Sequence, residues 1–124
     1  DDVETTQRIK FVRALDLVLG VPSVILDTDK ERRKYYGQAG SFRPKFLGTD
    51  PYNGVEYRTL SNFWLKSEKL MEFVWNGVEK VYNNLDELSD KANFYKEEIL
   101  ESINSGNSDI AINLCTKEGI IYGV

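Results

Sequence analysis

The stretch LSNFWLKSEKLMEFVWNGVEKVYNNLDELSDKANFYKEEILESI, residues 60–103, decides the fold. Within it Leu60, Phe63, Trp64, Ser67, Leu70, Met71, Val74, Val78, Val81 and Leu85 recur at alternating steps of three and four, the period of one buried helix face. The same register continues through Leu88, Ala92, Tyr95, Ile99 and Ile103, with Lys and Glu elsewhere. The first part predicts a helix over 60–82, about 36 Å long at 1.5 Å per residue, with Thr59 or Ser61 as its cap, and makes it the spine of the fold. Asn83 and Asn84 followed by Asp86 are a poor helix interior and a good stop and restart. They predict a second helix over 86–104, folded back antiparallel; the rival is one continuous helix of about 44 residues, abnormal in a domain this small. Trp64 falls in the stripe and reads as core, whereas Trp75 lies one step off it as a lid on the core or an interface anchor. Gly77 costs about 1 kcal/mol relative to alanine in a helix, so it either permits a close helix approach or makes room for that indole.

Upstream, Thr5 and Thr6 read as N-caps of a helix over 5–19, whose apolar residues Ile9, Phe11, Val12, Leu15, Val18 and Leu19 cover a broad face. Gly20 supplies a cap position and Pro22 prevents continuation, so this helix is expected to end near Leu19. Thr28-Asp29-Lys30-Glu31 is a capping box opening a short polar helix over 29–36. From 37 to 58 the breakers Gly37, Gly40, Pro44, Gly48, Pro51, Asn53 and Gly54 exclude a helix and predict an irregular arm, with a turn at Asp50-Pro51-Tyr52-Asn53-Gly54. Phe42, Phe46, Tyr52 and Tyr57 predict that the arm wraps onto the core rather than dangling. Ser105-Gly106-Asn107 closes the fourth helix and leaves a C-terminal tail over 105–124. In that tail Ile110, Ile112 and Leu114 alternate as in a strand, while Ile110, Ala111, Leu114 and Cys115 fit a short helix. The whole reads as a single domain, 1–124, mainly α: a small up-down bundle of about four helices with a long ordered loop and a short extended end.

The 124 residues contain no histidine and one cysteine, Cys115, which reads as a small buried hydrophobe. Absence of histidine removes the commonest general base and the commonest protein metal ligand. No GxxxxGKS/T, GxGxxG, CxxC or GxSxG motif is present. Asp27-Thr28-Asp29 with Glu31 lacks the glycine and distal glutamate of a hand-type calcium loop and is better explained by helix capping. The expectation is therefore a protein without catalytic residues, metal site or cofactor. The first residues are Asp1-Asp2 and the only methionine is Met71, which points either to removal of a leader, and so to an exported or organelle-imported chain, or to a trimmed chain.

Charge is divided along the chain. Residues 29–58 carry seven basic against four acidic residues, whereas residues 68–109 carry ten acids against four lysines, within an overall net charge of -4. The basic, aromatic arm, with Arg32, Arg33, Lys34, Tyr35, Arg43, Lys45 and Arg58, is the expected docking surface for a larger protein complex. An acidic chain opposes nucleic acid as a partner, and no apolar run reaches the ~20 residues of a membrane span, so contact with any membrane is expected to be peripheral and the free protein a monomer. The alternative surface is the acidic face of Glu97, Glu98 and Glu101, suited to a small inhibitor or immunity protein that blocks a basic nuclease or nucleic-acid-binding partner.

The order of helix, irregular arm with Phe42-Arg43-Pro44-Lys45, long helix and returning helix, in a small acidic chain, resembles the extrinsic lumenal four-helix, PsbQ-like subunits of photosystem II. That resemblance is one of architecture across the chain. It implies a non-catalytic accessory protein of the thylakoid lumen that docks electrostatically and supports oxygen evolution.

Overall fold

In the computed structural model, which describes residues 2–27, 37–45 and 54–122, the helices are α1 (Asp2–Leu15), α2 (Val21–Leu26), α3 (Glu68–Asn83), α4 (Leu85–Phe94), α5 (Lys96–Ser105) and α6 (Ser108–Glu118). Strands β1 (Phe42–Lys45) and β2 (Gly54–Tyr57) form an antiparallel pair, with Phe42 opposite Tyr57 and Lys45 opposite Gly54. The mainly α class expected from the sequence is what the structure shows.

The element at the centre is the N-terminal rod rather than residues 60–82. Val12, Ala14, Leu15, Leu17, Val18, Leu19, Val21 and Val24 are all buried, so beyond the exposed Arg13 this segment is enclosed on all sides and, Asp16 and Ser23 apart, apolar. Its Leu17, Val21 and Val24 pack with Ala92 of α4, Ile99 and Ile103 of α5, and Ala111, Leu114 and Cys115 of α6. Its Ala14, Leu15, Val18 and Leu19 pack with Val81 of α3 and Leu88 of α4.

The expected end near Leu19 is corrected. The rod runs on through a π-helical turn, Asp16–Gly20, directly into α2, where Pro22 sits in the first turn and the chain leaves the helix at Asp27. In a regular α turn the proline ring collides with the carbonyl four residues back and leaves it without a donor; the wider π turn relieves both conflicts. Gly20 is needed for closeness rather than as a stop, because a Cβ there would come within 2.9 Å of both Ile103 Cδ1 and the Tyr57 hydroxyl. Thr5 and Thr6 lie inside α1 and are not its caps.

The stripe of residues 60–103 is cut at three places. Ser61 caps a 3-10 turn, Asn62–Lys66, by accepting from Phe63 N–H, and Ser67 then caps α3 by accepting from Leu70 N–H. The expected helix over 60–82 is thus a turn followed by α3. Asn84 breaks the chain between α3 and α4, as the Asn pair predicts. The expected helix over 86–104 is divided at Tyr95, whose ring meets Phe94 edge-on at 4.9 Å. Trp75 is 66% exposed and lies over no core, and Gly77 serves the close helix approach, facing Leu19.

The tail from 105 is mostly α6, which resolves the strand-or-helix alternative in favour of helix. Gly106 takes the left-handed conformation that ends α5, and Gly119 does the same after α6. The arm over 37–58 is not irregular throughout, since it contains the β1–β2 pair. The expected helix over 29–36 and the turn at 50–54 lie almost entirely outside the described residues.

Cys115 is buried, and burial pushes its thiol up to about 11. Iodoacetamide at neutral pH is expected to label the native protein very slowly and the urea-unfolded protein fully; rapid labelling of the native protein would contradict the packing of α6.

Candidate functional site

Asp16 is the charged residue the sequence reading passed over. It opens the π turn and is 3% exposed, in a run that is otherwise apolar. Its Oδ1 accepts from the Tyr57 hydroxyl at 2.5 Å and its Oδ2 accepts from Gly40 N–H at 2.7 Å. Thr59 Oγ1 lies 3.3 Å from Asp16 Oδ1 and 2.9 Å from the Gln38 carbonyl; its single proton favours the shorter bond. A buried carboxylate is tolerated only when donors surround it, and the arm supplies them here. π turns occur disproportionately at functional positions because they offset the following side chains from the helical register.

The segment 37–41 is held from both sides. Gly40 N–H goes to Asp16 on the rod, and Ala39 N–H donates to Asn104 Oδ1 on α5 at 2.7 Å. Gly37 and Gly40 both take positive φ, which lets the chain turn tightly enough to present the two successive N–H groups in different directions. Thr59→Val is expected to cost about 1 kcal/mol in urea denaturation, because the part-buried Gln38 carbonyl loses its donor.

Beside this clamp lies a pocket of about 120 Å³, lined by Arg13, Asp16, Ala39, Gly40, Ala92, Lys96, Ile99 and Leu100. Arg13 lies one helical turn before Asp16, and Lys96 one turn before Ile99 and Leu100, so α1 and α5 each bring one cation to the same opening. Among the described residues neither Arg13 nor Lys96 has an ion-pair partner.

A larger, open groove of about 580 Å³ runs along α3, lined by Lys69, Glu72, Phe73, Asn76, Gly77 and Lys80 with Gly119, Ile120 and Ile121 opposite. Next to it Lys91 Nζ lies 3.3 Å from Glu118 Oε1 and 3.7 Å from Glu87 Oε1, and the Tyr95 hydroxyl donates to Glu118 Oε2 at 3.1 Å. The hydrogen bond and charge of Glu118 raise Lys91 above its ordinary value; the hydrogen bond to Glu118, followed by burial, raises Tyr95. These groups satisfy one another and tie α4 and α5 to α6, whereas the cations beside Asp16 remain available.

The residues expected to bind a partner do not converge there. Arg43 on β1 and Arg58 just after β2 both approach Glu56 Oε2, at 3.6 and 3.9 Å, so the arm's positive charge is partly neutralised across the strand pair. Lys45 occupies the last position of β1, and Arg32, Arg33, Lys34 and Tyr35 lie outside the described residues. Glu97 and Glu101 are exposed and Glu98 is half-buried, all on α5. Among the described residues no group of three or more Cys, Asp or Glu side chains is placed to hold a metal ion, and no helix is long and apolar enough to cross a membrane. Asp16 was detectable in the sequence as an acid flanked by Leu15 and Leu17 at a position where the helix is buried all round; Arg13 and Lys96 carry no such mark.

Residues 3–118 match the family described as Phage phiEco32-like COOH.NH2 ligase-type 2, and the chain belongs to that family. No curated protein and no solved structure matches the chain significantly. The family overturns the resemblance to the PsbQ-like photosystem II subunits, and with it the accessory role in oxygen evolution and the thylakoid setting. It also replaces the inhibitor reading and conflicts with the expectation of a chain that is not an enzyme. The resemblance failed because an order of helices around an arm is shared by unrelated proteins, and because lack of histidine does not preclude chemistry carried by carboxylates, lysine and arginine.

Proposed function

We propose, from the chain's membership of the phage phiEco32-like COOH.NH2 ligase-type 2 family, that it takes part in joining a carboxyl group to an amine. The single observation that carries this reading is the extent of the match, which spans the rod, the arm and all the helices through α6. A carboxylate and an ammonium ion in neutral water form a salt rather than an amide. The nitrogen must give up a proton, and one carboxyl oxygen must leave on an activating group. A nucleoside triphosphate can supply that group: the carboxylate oxygen displaces the nucleotide or diphosphate from phosphorus, the amine nitrogen attacks the acyl carbon, and the phosphorus departs with the carboxyl oxygen.

The geometry beside Asp16 supports the acid-binding half of such a reaction. Asp16 and Asn104 fix Ala39 and Gly40 from opposite sides, so one wall of the pocket is set before any substrate arrives. Ala92, Ile99 and Leu100 make the opposite wall apolar, and Arg13 and Lys96 place positive charge where a carboxylate would enter. The test is phosphate release from ATP in the presence of amino acids supplied singly and in pairs. Release that requires both an acid and an amine, and that falls at least tenfold in Lys96→Ala, is the expected result. Release indifferent to the amine would overturn the reading.

A further inference from the structure

We infer that the pocket between α1 and α5 receives a carboxylate on a short aliphatic stem, the side chain of a glutamate or aspartate, as the acid substrate of the proposed ligation, and to that extent the inference rests on that reading. Three charged side chains line the pocket, and they are not equivalent. Both oxygens of Asp16 are engaged by donors from the arm, Tyr57 on one and Gly40 on the other. Arg13 and Lys96 have no ion-pair partner among the described residues, so the opening carries two cations against the single, already hydrogen-bonded carboxylate of Asp16. An anion between them would accept a forked pair of hydrogen bonds from the guanidinium and a point-charge contact from the ammonium.

Size and wall chemistry narrow the anion. The pocket is small, about 120 Å³ against about 580 Å³ for the groove along α3, and suits a carboxylate with a few methylenes. Its remaining walls, Ala39, Ala92, Ile99 and Leu100, are apolar and suit a hydrocarbon stem. Inorganic phosphate has no stem to lay on these walls and would lose hydration against them without compensation.

The test is a titration of the full chain with N-acetylglutamate α-methylamide, followed through the backbone amide resonances of Ala39, Gly40 and Leu100. The uncharged isostere, N-acetylglutamine α-methylamide, serves as the comparison. Saturable binding of the acid, at least tenfold tighter than the isostere, is expected. Arg13→Gln with Lys96→Gln should abolish that preference while leaving the urea midpoint unchanged, since both side chains are exposed. Ala39→Leu, which narrows the pocket and keeps both charges, should weaken the acid by a similar factor. Equal binding of acid and isostere, unchanged binding in the double variant, or displacement by inorganic phosphate at matching concentration would each overturn the assignment. Acid binding without any ligation would overturn the ligase reading alone. Ligation in the double variant with an unchanged KM for the acid would overturn the pocket assignment alone.

Discussion

Replacing Asp16 with alanine is expected to lower stability by about 3 kcal/mol, the largest single-site effect in the molecule outside the apolar core. The loss arises because the Tyr57 hydroxyl and Gly40 N–H are left without their acceptor at the seam between the arm and the rod. In urea this corresponds to a midpoint shift of about 1–2 M. Asp16→Asn is expected to recover only part of it, since the amide keeps one acceptor oxygen and turns an NH2 towards the other donor. Tyr57→Phe removes one bond and should cost about 1–2 kcal/mol, and its effect should nearly vanish in an Asp16→Ala background because the two share one interaction. Additive losses, or an Asp16→Ala protein as stable as the parent, would show that the arm is held by something else.

The second large effect is expected at Gly77. A Cβ built there would lie 2.4 Å from Leu19 Cδ2 and 2.8 Å from Leu19 Cγ, and Leu19 is itself buried on the central rod. Leu19 cannot retreat without disturbing Val18, Val81 and the rest of its cluster, so the added atoms must part α3 from the rod. Gly77→Val should therefore cost about 3 kcal/mol through overpacking. Gly77→Ala gains about 1 kcal/mol of helix propensity, which offsets part of the clash and leaves a net loss of about 1 kcal/mol. Leu19→Ala alone should cost about 3 kcal/mol, yet combined with Gly77→Ala the total should fall well short of the sum, because the shortened Leu19 side chain makes room for the new methyl. Strict additivity of the pair would contradict the close approach.

The helix period in residues 60–103 located α3, the break at Asn84 and the apolar faces of α4 and α5, because those helices bury one side and leave the other wet. The same logic misjudged the centre of the fold. A stripe stands out when the opposite face is polar, and Ala14 to Val24 has almost no polar face, so the most deeply packed helix gave the weaker periodic signal. Gly20 and Pro22 compounded the error, since both normally end helices. Continuation past them depends on a π turn whose stability comes from the surrounding α5, α6 and Tyr57, contacts that no local pattern encodes. Of the candidate site, Asp16 was legible as an acid where only apolar residues belong. Arg13 and Lys96 are separated by more than eighty positions and meet only through the packing of α1 and α5. The arm's cations drew attention through their number, but pairing matters more than number: Arg43 and Arg58 both face Glu56.

Amide formation from a carboxyl and an amine leaves its signature in the fate of one carboxyl oxygen. The protein would be incubated with ATP, an amine and a glutamate whose side-chain carboxylate carries heavy oxygen, and the products weighed by mass spectrometry. The expected condensation product is lighter than the sum of the two substrates by one water bearing the heavy oxygen, and that oxygen appears in the released phosphate or nucleotide. No condensation product, or phosphate and nucleotide released without the label, would contradict it.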